Sequence, residues 1–216
     1  LASKYVKTLE HKNKELEQFS YITSHDLQEP LRTITSSSEY IYEEYYDKLD
    51  ENAKQIFDFI KNATGRMSDL IKNLLDYSRI GYKEELKEVD CNQTLQNITD
   101  DLRILISQSN AHIEINKLPT IHSFTIVLRL LFQNLITNAI KFSKKGVNPI
   151  VQVDCIKKRN AYEFSIKDNG IGIKKEYQTK IFEIFQQLHL KGKYEGTGIG
   201  LAHCQKIVNL HGGEIW

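Results

Sequence analysis

The first 80 residues contain almost nothing that would stop a helix, and this feature most restricts the possible fold. In this stretch Pro30 is the only proline and Gly65 the only glycine. Apolar residues recur at helical spacing from Tyr5 to about Tyr45. Asp50 then provides an N-cap for a second helix. The pattern predicts two long helices with a short connection, which form an antiparallel hairpin.

The second predicted helix carries a heptad seam, because its apolar residues are spaced alternately four and three apart. Its members are Ile56, Ile60, Ala63, Met67, Leu70, Leu74 and Tyr77. A two-helix hairpin cannot bury both of its faces alone, whereas two copies can form a four-helix bundle. We therefore expect residues 1–80 to form an all-α hairpin that dimerises.

The residues after Gly81 follow a different pattern, in which helical and strand-like runs alternate. The helical patterns cover about 92–109, 123–143 and 199–211, and the strand-like runs cover 113–118, 150–157 and 161–167. Such alternation predicts an α/β sandwich with helices over one sheet. The fold class we expect is therefore multidomain, with the helical hairpin followed by this sandwich.

Charge and cysteine content exclude several classes of protein. The chain has 29 Lys and Arg against 28 Asp and Glu, a formal net charge of +1, which argues against a strongly basic nucleic-acid binder. The three cysteines are too far apart for a metal motif and predict a reduced, cytoplasmic setting. No apolar run reaches the roughly 18–20 residues that span a bilayer. What precedes Leu1, including a membrane anchor in a longer protein, stays open.

The first motif with chemical potential is the run from Ser24 to Leu31, which contains His25 followed by Asp26. On a helical wheel His25 points away from the apolar face. An imidazole can accept a phosphoryl group or shuttle protons near neutral pH, and an adjacent acid can orient it or take its proton. Taken alone, the motif is more typical of a solvated surface histidine.

The second motif places Asn134, Asn138 and Lys141 on one face of a predicted helix. Amide oxygens are hard neutral ligands and the ammonium group supplies positive charge, so the set suits Mg²⁺ with a phosphate. The alternative for this motif alone is the polar rim of an amphipathic helix.

Two glycine-rich motifs follow. Asp168, with Gly170 and Gly172 after it, ends a predicted strand and could accept a hydrogen bond from a ring amine, although such residues also make ordinary turns. The run from Gly196 to Leu201 precedes a helix and could form an anion seat. A dinucleotide-binding fingerprint does not fit this second run, because no strand precedes it. The polar segment Leu188–Glu195 before it is typical of a mobile lid.

In this order and spacing the motifs resemble the sensor histidine kinases of two-component signalling over nearly the whole chain. The run His25-Asp26 to Pro30 resembles the H box, and the Asn134 to Lys141 run resembles the N box of GHKL-type ATPase domains. The remaining matches are Asp168 to Gly172 for the G1 box, Gly196 to Gly200 for the G2 box and Phe182 to Phe185 for the F box. The sequence His-Asp-Leu-Gln-Glu-Pro-Leu-Arg from His25 is similar to a phytochrome-like subset of the family.

The resemblance implies a role for each matched residue. His25 would be the phosphoacceptor, with Asp26 as base or orienting acid. Asn138 and Asn134 would hold Mg²⁺, Lys141 would contact the phosphates of ATP, and Asp168 would bind the adenine amine. The further nucleotide contacts would be Gly170, Gly172, Gly196, Thr197, Gly198, Gly200 and Leu201. Phe182 and Phe185, in the F box, also have a purely structural interpretation, in which they dock the lid to the core.

Three departures from the family pattern carry expectations of their own. Glu29 occupies the position where many relatives have Thr or Asn, and its charge predicts weak phosphatase activity toward a regulator. Asn134 replaces the glutamate of ATP-hydrolysing GHKL members, which favours transfer to His25 over hydrolysis. The chain ends at Trp216, where the family usually has further sheet, so the expected ATP-binding domain, 84–216, is shortened at its C-terminus.

The function we expect is an ATP-dependent protein-histidine kinase core. Its partners would be a second copy of the hairpin, a response-regulator receiver domain and an upstream sensor domain, joined through a coiled-coil linker over residues 1–20. A degenerate kinase that acts as a dimeric nucleotide-binding scaffold is the first alternative. A pure GHKL ATPase is the second.

Overall fold

The computed structural model describes residues 2–80, 85–186 and 197–216, with side chains given from Ile22 onward except at Arg79. The chain divides into two compact units, Leu1–Arg79 and Ile80–Trp216. No helix within the described ranges is long and apolar enough to cross a membrane.

The first unit is a helical hairpin, as the sequence predicts. Helix α1 covers Ala2–Tyr45, a short 3-10 helix covers Tyr46–Lys48 and helix α2 covers Glu51–Arg79. Asp50 caps α2, because its Oδ1 accepts a hydrogen bond from the Ala53 N–H at 2.7 Å. Helix α1 runs through Pro30 without a break, although a proline has no N–H to complete the helical ladder there.

The connection of the hairpin is held by an aromatic cluster. The Tyr42 ring packs edge to face against Tyr46 and Phe57, with centroids 5.2 and 5.9 Å apart. The Lys54 Nζ lies 4.3 Å from the centroid of the Tyr46 ring. Edge-on aromatic pairs of this kind are worth about 0.5–1.5 kcal/mol beyond their buried area, so the cluster fixes the two helices where they meet.

Within one hairpin the helices pack through a different stripe from the predicted seam. The buried positions are Ser24 and Leu31 on α1 and Thr64 and Ile71 on α2, each pair seven residues apart. Thr64 and Ile71 follow predicted seam members by one position. Two members of the heptad seam, Ile56 and Met67, are 49% and 51% exposed, so the seam itself does not close the single hairpin. The heptad stripe lies beside the intramolecular contact.

The second unit mixes short strands and helices in the order expected of an α/β sandwich. Its elements are β1 (Lys87–Asp90), α3 (Cys91–Asp101), α4 (Arg103–Ser109), β2 (His112–Ile115), β3 (Thr120–Ser123), α5 (Thr125–Lys141), β4 (Ile150–Lys157), β5 (Tyr162–Asp168), two 3-10 helices (Lys175–Tyr177 and Lys180–Phe182) and α6 (Gly200–Leu210). Leu102 separates α3 from α4, so the single helix predicted over 92–109 is two helices.

The strands of this unit form two sheets rather than the one expected. In the three-stranded sheet β4 lies between β2, to which it is parallel, and β5, to which it is antiparallel. The other sheet is the antiparallel pair of β1 and β3. Each of these two strands has four residues, too few for an alternating pattern to stand out, and β3 was not predicted at all.

The core of the second unit lies between the three-stranded sheet and helices α3 and α5. Its fully buried members include Leu95, Ile98, Phe132, Ile136, Val151 and Val153. Burial of such a side chain contributes about 1.5–3 kcal/mol. The buried face of α5 leaves its other face for polar residues, and this orients the Asn134 to Lys141 row.

Helix α6 is fixed against the same body at its C-terminal end. The His211 Nδ1 donates a hydrogen bond to the Ile207 carbonyl at 2.7 Å, and its Nε2 accepts one from the buried Ser123 hydroxyl at 2.8 Å. Ile207 on this helix and Ile199 directly before it are fully buried. These contacts set the direction in which the N-terminus of α6 points.

Candidate functional site

His25 lies on an exposed face of α1. Its Nδ1 is 3.3 Å from Asp26 Oδ1, and the two side chains are 65% and 69% exposed. The wheel prediction that His25 faces solvent is confirmed. Glu29 is also exposed and lies one helical turn further along the same face. The arrangement is an accessible imidazole with one ring nitrogen directed at a carboxylate.

Helix α5 carries the polar row of the second motif. Asn134, Asn138 and Lys141 are half-buried, while Phe132 and Ile136 on the neighbouring face lie in the core. The Lys141 Nζ lies 4.9 Å from the centroid of the Phe142 ring. Packing of the apolar face thus decides where the two amides and the lysine are presented.

The start of α6 lies directly against the amides of α5. A Cβ built on Gly200 would be 3.3 Å from Asn134 Oδ1 and 3.9 Å from Asn138 Nδ2. The first bond of this helix end runs from the His203 N–H to the Ile199 carbonyl at 2.9 Å. The N–H groups of Gly200, Leu201 and Ala202 precede that bond and can bind an anion. The two motifs therefore share one corner of the unit.

Asn134 adds a second indication that a polar ligand belongs at this corner. Among the described residues its Nδ2 is a buried atom without a hydrogen-bond partner, which is costly unless something satisfies it. Rotation of the amide by half a turn places Oδ1 at the same point. The donor set therefore fits a hydrated divalent cation with phosphate oxygens around it.

The other end of α5 meets the first glycine-rich motif. The Gly170 N–H donates to Asp168 Oδ1 at 2.8 Å, and the Ile171 N–H donates to the Phe142 carbonyl at 3.0 Å. A Cβ on Gly170 would lie 2.5 Å from the Phe142 oxygen and 2.7 Å from Asp168 Oδ1. Only glycine fits there. A carboxylate has further acceptor sites, so Asp168 can still accept a hydrogen bond from a ligand.

Two residues that the sequence analysis did not single out shape this end of the site. Phe142 supplies the carbonyl just described, and Asn169 connects the turn to its neighbours. Asn169 Oδ1 accepts a hydrogen bond from the Ile150 N–H at 2.9 Å, and its Nδ2 donates to the Asn148 carbonyl at 3.0 Å. Nothing in the sequence distinguishes this asparagine from an ordinary turn residue.

The two F-box aromatics differ from each other in exposure and backbone conformation. Phe182 is half-buried, whereas Phe185 is 55% exposed and has a left-handed backbone with φ of +67°. Its N–H donates to the Gly198 carbonyl at 3.0 Å. Thr197 and Leu201 are half-buried beside the start of α6. Gly196 and the segment Leu188–Glu195 lie outside the described residues.

Two of the three cysteines of this unit, Cys91 and Cys204, are buried and unsuited to act as nucleophiles. Burial raises the pKa of the Cys204 thiol on α6 to about 12, and burial likewise raises the pKa of Cys91 to about 12. A thiol with such a pKa is neutral at physiological pH and is a poor nucleophile. The chemistry of the unit therefore depends on its amides, its lysine, its carboxylate and its main-chain N–H groups.

The second unit thus brings together two of the predicted clusters on one scaffold helix. Asn134 and Asn138 meet Gly200 near one end of the polar row, and Phe142 meets Gly170 just beyond the other end. His25 and Asp26 belong to the hairpin unit. The second unit can bind a nucleotide, because it combines a helix N-terminus for an anion, neutral amide ligands and the Asp168 carboxylate, which can accept a hydrogen bond from a ring amine. An exposed imidazole such as that of His25 can accept a phosphoryl group.

Two family models match the chain in the same order as the two units. Residues 15–83 match the His Kinase A (phospho-acceptor) domain. Residues 123–216 match the histidine kinase-, DNA gyrase B- and HSP90-like ATPase domain.

Curated relatives are similar to nearly the whole chain. The phytochrome-like protein Cph1 of a Synechocystis species is 37% identical over 211 residues, which are 97% of this chain and 28% of that protein. Cyanobacterial phytochrome A of a Nostoc species is 38% identical, over 96% of this chain and 27% of that protein. Sensor histidine kinase WalK of Bacillus subtilis is 29% identical, over 96% of this chain and 35% of that protein. The chain spans little more than a quarter of the length of the first two relatives.

Solved structures agree on the fold. Full-length ShkA in complex with AMPPNP matches with a TM-score of 0.67 at 22% identity, over 90% of this chain and 41% of ShkA. The catalytic domain of histidine kinase ThkA matches with a TM-score of 0.53 at 24% identity, over 61% of this chain and 86% of that domain. With its phospho-acceptor hairpin and its ATPase unit, the chain belongs to the sensor histidine kinase family.

Proposed function

We propose that the chain is a histidine kinase core in which His25 takes the γ-phosphoryl group of Mg-ATP and passes it to a response regulator. The observation that carries the proposal is the meeting of Asn134 and Asn138 with the N-terminus of α6, because that corner suits a metal-bound polyphosphate. ShkA, which has a similar fold, was solved with AMPPNP, and this supports ATP as the nucleotide.

The chemical step uses the two nitrogens of His25 differently. Asp26 Oδ1 lies 3.3 Å from Nδ1. A hydrogen bond from an Nδ1–H to this carboxylate favours the tautomer in which Nε2 has a free lone pair. Nε2 attacks the γ-phosphorus, the bond from that phosphorus to the β–γ bridging oxygen breaks, and ADP leaves. Asp26 then takes the Nδ1 proton, which restores a neutral ring.

Binding residues in the second unit hold the donor in place. Asp168 accepts a hydrogen bond from the adenine amine, in a pocket that needs glycine at 170 and 172. Lys141, with the main-chain N–H groups of Gly200 and Leu201, contacts the phosphates, and Thr197 and Gly198 lead the chain into that seat. Asn138 and Asn134 would hold Mg²⁺, which when bound neutralises phosphate charge. Catalysis then rests on positioning and charge.

The wider assignment extends the proposal to domains and partners. Residues 1–80 present the acceptor and residues 84–216 bind ATP, with 1–20 as a coiled-coil linker from an upstream sensor. The exposed apolar stripe of α2 pairs with a second copy to make a four-helix bundle. An aspartate of a receiver domain is the final acceptor, and we place this part of the protein in the cytoplasm.

Glu29 gives the proposal a finer consequence for phosphatase activity. It lies one turn after His25 on an exposed helical face, where its negative charge opposes an anionic phosphoryl group. We expect weak dephosphorylation of a receiver domain that the wild type has phosphorylated. Glu29→Thr should increase the rate of that dephosphorylation. A robust wild-type phosphatase that Glu29→Ala abolishes would contradict this assignment.

The test follows γ-labelled ATP with Mg²⁺ into protein-bound and free phosphate. We expect acid-labile label on the wild type and none on His25→Gln. His112→Gln is the matched control, because His112 is also exposed and lies 3.3 Å from a carboxylate, that of Glu114. The control should label like the wild type.

Each other outcome of this experiment points to a different function. Equal label on the wild type and on His25→Gln refutes the proposal. Nucleotide binding without any label indicates the scaffold alternative, and release of free phosphate without protein-bound label indicates an ATPase.

A further inference from the structure

Phe185 has a main-chain conformation that its residue type rarely adopts. Its φ is +67°, and among the described non-glycine residues Asn110 is the only other one with a positive φ. Asn110 is a residue type that tolerates this conformation and it caps the end of α4. For an aromatic residue the left-handed conformation is strained, since Cβ crowds its own carbonyl oxygen. The surrounding fold must therefore hold Phe185 in place.

The contact that holds it is a main-chain clasp with Gly198. The Phe185 N–H donates to the Gly198 carbonyl at 3.0 Å, and Gly198 itself has a φ of +73°. A Cβ on Gly198 would lie 2.8 Å from the Phe185 carbonyl carbon and 2.9 Å from the Gln186 oxygen. The two backbones are therefore in direct contact, and no side chain fits between them.

This clasp sets the direction of the peptide that leads into α6. In a trans peptide the C=O and the following N–H point to opposite sides, so the bond to the Gly198 carbonyl directs the Ile199 N–H away from Phe185. Ile199 is fully buried, and its carbonyl accepts the first bond of the helix from His203. The orientation of the peptide between Gly198 and Ile199 therefore determines where the N–H groups at the start of α6 point.

We propose that Phe185 is a positioning residue that acts through its backbone, by holding Gly198 so that the first turn of α6 faces the nucleotide phosphates. This inference rests on the proposed function, because it assumes that phosphates bind at that helix end. The Phe185 side chain is 55% exposed and has little packing to contribute. What the position requires is the ability to adopt a left-handed backbone.

The test separates backbone preference from side-chain character by substitution at one position. Phe185→Asn keeps the left-handed conformation but removes the apolar ring, whereas Phe185→Ile stays apolar but is β-branched and disfavours that conformation. Phe185→Leu is the matched control, because leucine is an unbranched-Cβ isomer of isoleucine. Dissociation constants are measured for ATP and for adenosine, together with the thermal midpoint of each variant.

We expect Phe185→Asn to bind ATP within about twofold of the wild type. Phe185→Ile should bind ATP about tenfold more weakly than Phe185→Leu. Adenosine affinity should stay unchanged across the set, because adenosine has no phosphate to reach α6. The thermal midpoint should be highest for Phe185→Asn, which relieves the backbone strain, and lower for Phe185→Ile than for Phe185→Leu.

Two outcomes would overturn the inference. The first is an affinity order that follows apolar character, with Ile as good as Leu and Asn worst. The second is an equal loss of adenosine and ATP binding in Phe185→Ile, which would indicate a general structural role. A wild type that binds neither ATP nor adenosine would instead count against the proposed function, since no variant would then differ from it in affinity.

Discussion

The hairpin and the second unit differ in how much apolar surface each covers within one chain. The second unit encloses large side chains such as Phe132, which is 1% exposed, between helices and a sheet. The hairpin buries Leu31 and Ile71 but leaves Phe59 69% exposed. Two helices have only one shared contact stripe, so their other apolar stripes need a partner. The difference teaches that the second unit covers its core within one chain, whereas the hairpin presents apolar stripes that a partner would cover.

The largest effect that tests this comparison is removal of a core ring. Phe132→Ala should lower the free energy of unfolding of the second unit by about 3–5 kcal/mol, through lost burial and a cavity. Hydrogen exchange of the β4 and α5 amides should accelerate accordingly. Phe59→Ala is the control, and faster exchange of those same amides in this variant would contradict the contrast between the two units.

The exposed apolar stripe of α2 and the proposed homodimer predict a second effect, on association. Ile56→Ser with Met67→Ser should weaken the homodimer by roughly 2 kcal/mol or more for the removed apolar area, as measured by sedimentation equilibrium. The double variant Ile104→Ser with Ile126→Ser removes apolar side chains of the second unit that are even more exposed, and it should leave the dimer unchanged. Equal weakening by both pairs would mean that the stripe on α2 is not the interface.

One type of substitution should have opposite signs in the two units. Gly170→Ala places a Cβ 2.5 Å from the Phe142 oxygen, and overpacking of this kind costs about 1–3 kcal/mol. Gly65→Ala lies inside α2 with no atom within 4 Å of its Cβ, and it should stabilise the hairpin by about 0.5–1 kcal/mol. Chemical denaturation measures both changes, and the same sign at both positions would refute this reading.

The smallest effect is a pH dependence at the start of α3. The Gln93 N–H, helped by Asn92, lowers the pKa of the Asp90 carboxyl below its usual 3.8. A lowered folded-state pKa means that this stabilisation is complete above the unfolded value and is lost as pH falls through the folded value. The difference in unfolding midpoint between wild type and Asp90→Asn should therefore shrink from pH 6 to pH 3. A constant difference would show that the charge of Asp90 plays no part.

Regular periodicity and ordered motifs made much of this molecule predictable. The hairpin followed from a helix without breaking residues, and the Asp50 cap followed from local chemistry. Helix α5 and strands β4 and β5 followed from their periods. Strand β3 was missed because four residues carry too little pattern, and the split at Leu102 left no signal in the sequence. The spacing predicted a heptad seam on α2 but did not show which neighbouring stripe closes the hairpin, because the buried positions there include polar Ser24 and Thr64.

The sequence predicted which residues belong to the site, but it did not predict which of them are in contact. The spacing of Asn134 and Asn138 put them on one face, yet only the fold shows them against Gly200. The carbonyl of Phe142 and the backbone of Phe185 had no signal, because every residue has a carbonyl and an N–H. The side chains of Asn169 and Ser123 likewise join elements that are distant in sequence.

The central claim is that the hairpin presents His25 as the acceptor of a phosphoryl group that the ATPase unit donates. The most direct measurement is peptide mapping of the wild-type protein after incubation with Mg-ATP, digested and separated at neutral to alkaline pH so that phosphohistidine survives. The account predicts the phosphoryl group on the peptide that contains His25, and at its ring. A phosphoryl group on any other residue, or a phosphorylated peptide that is stable in acid, would contradict it.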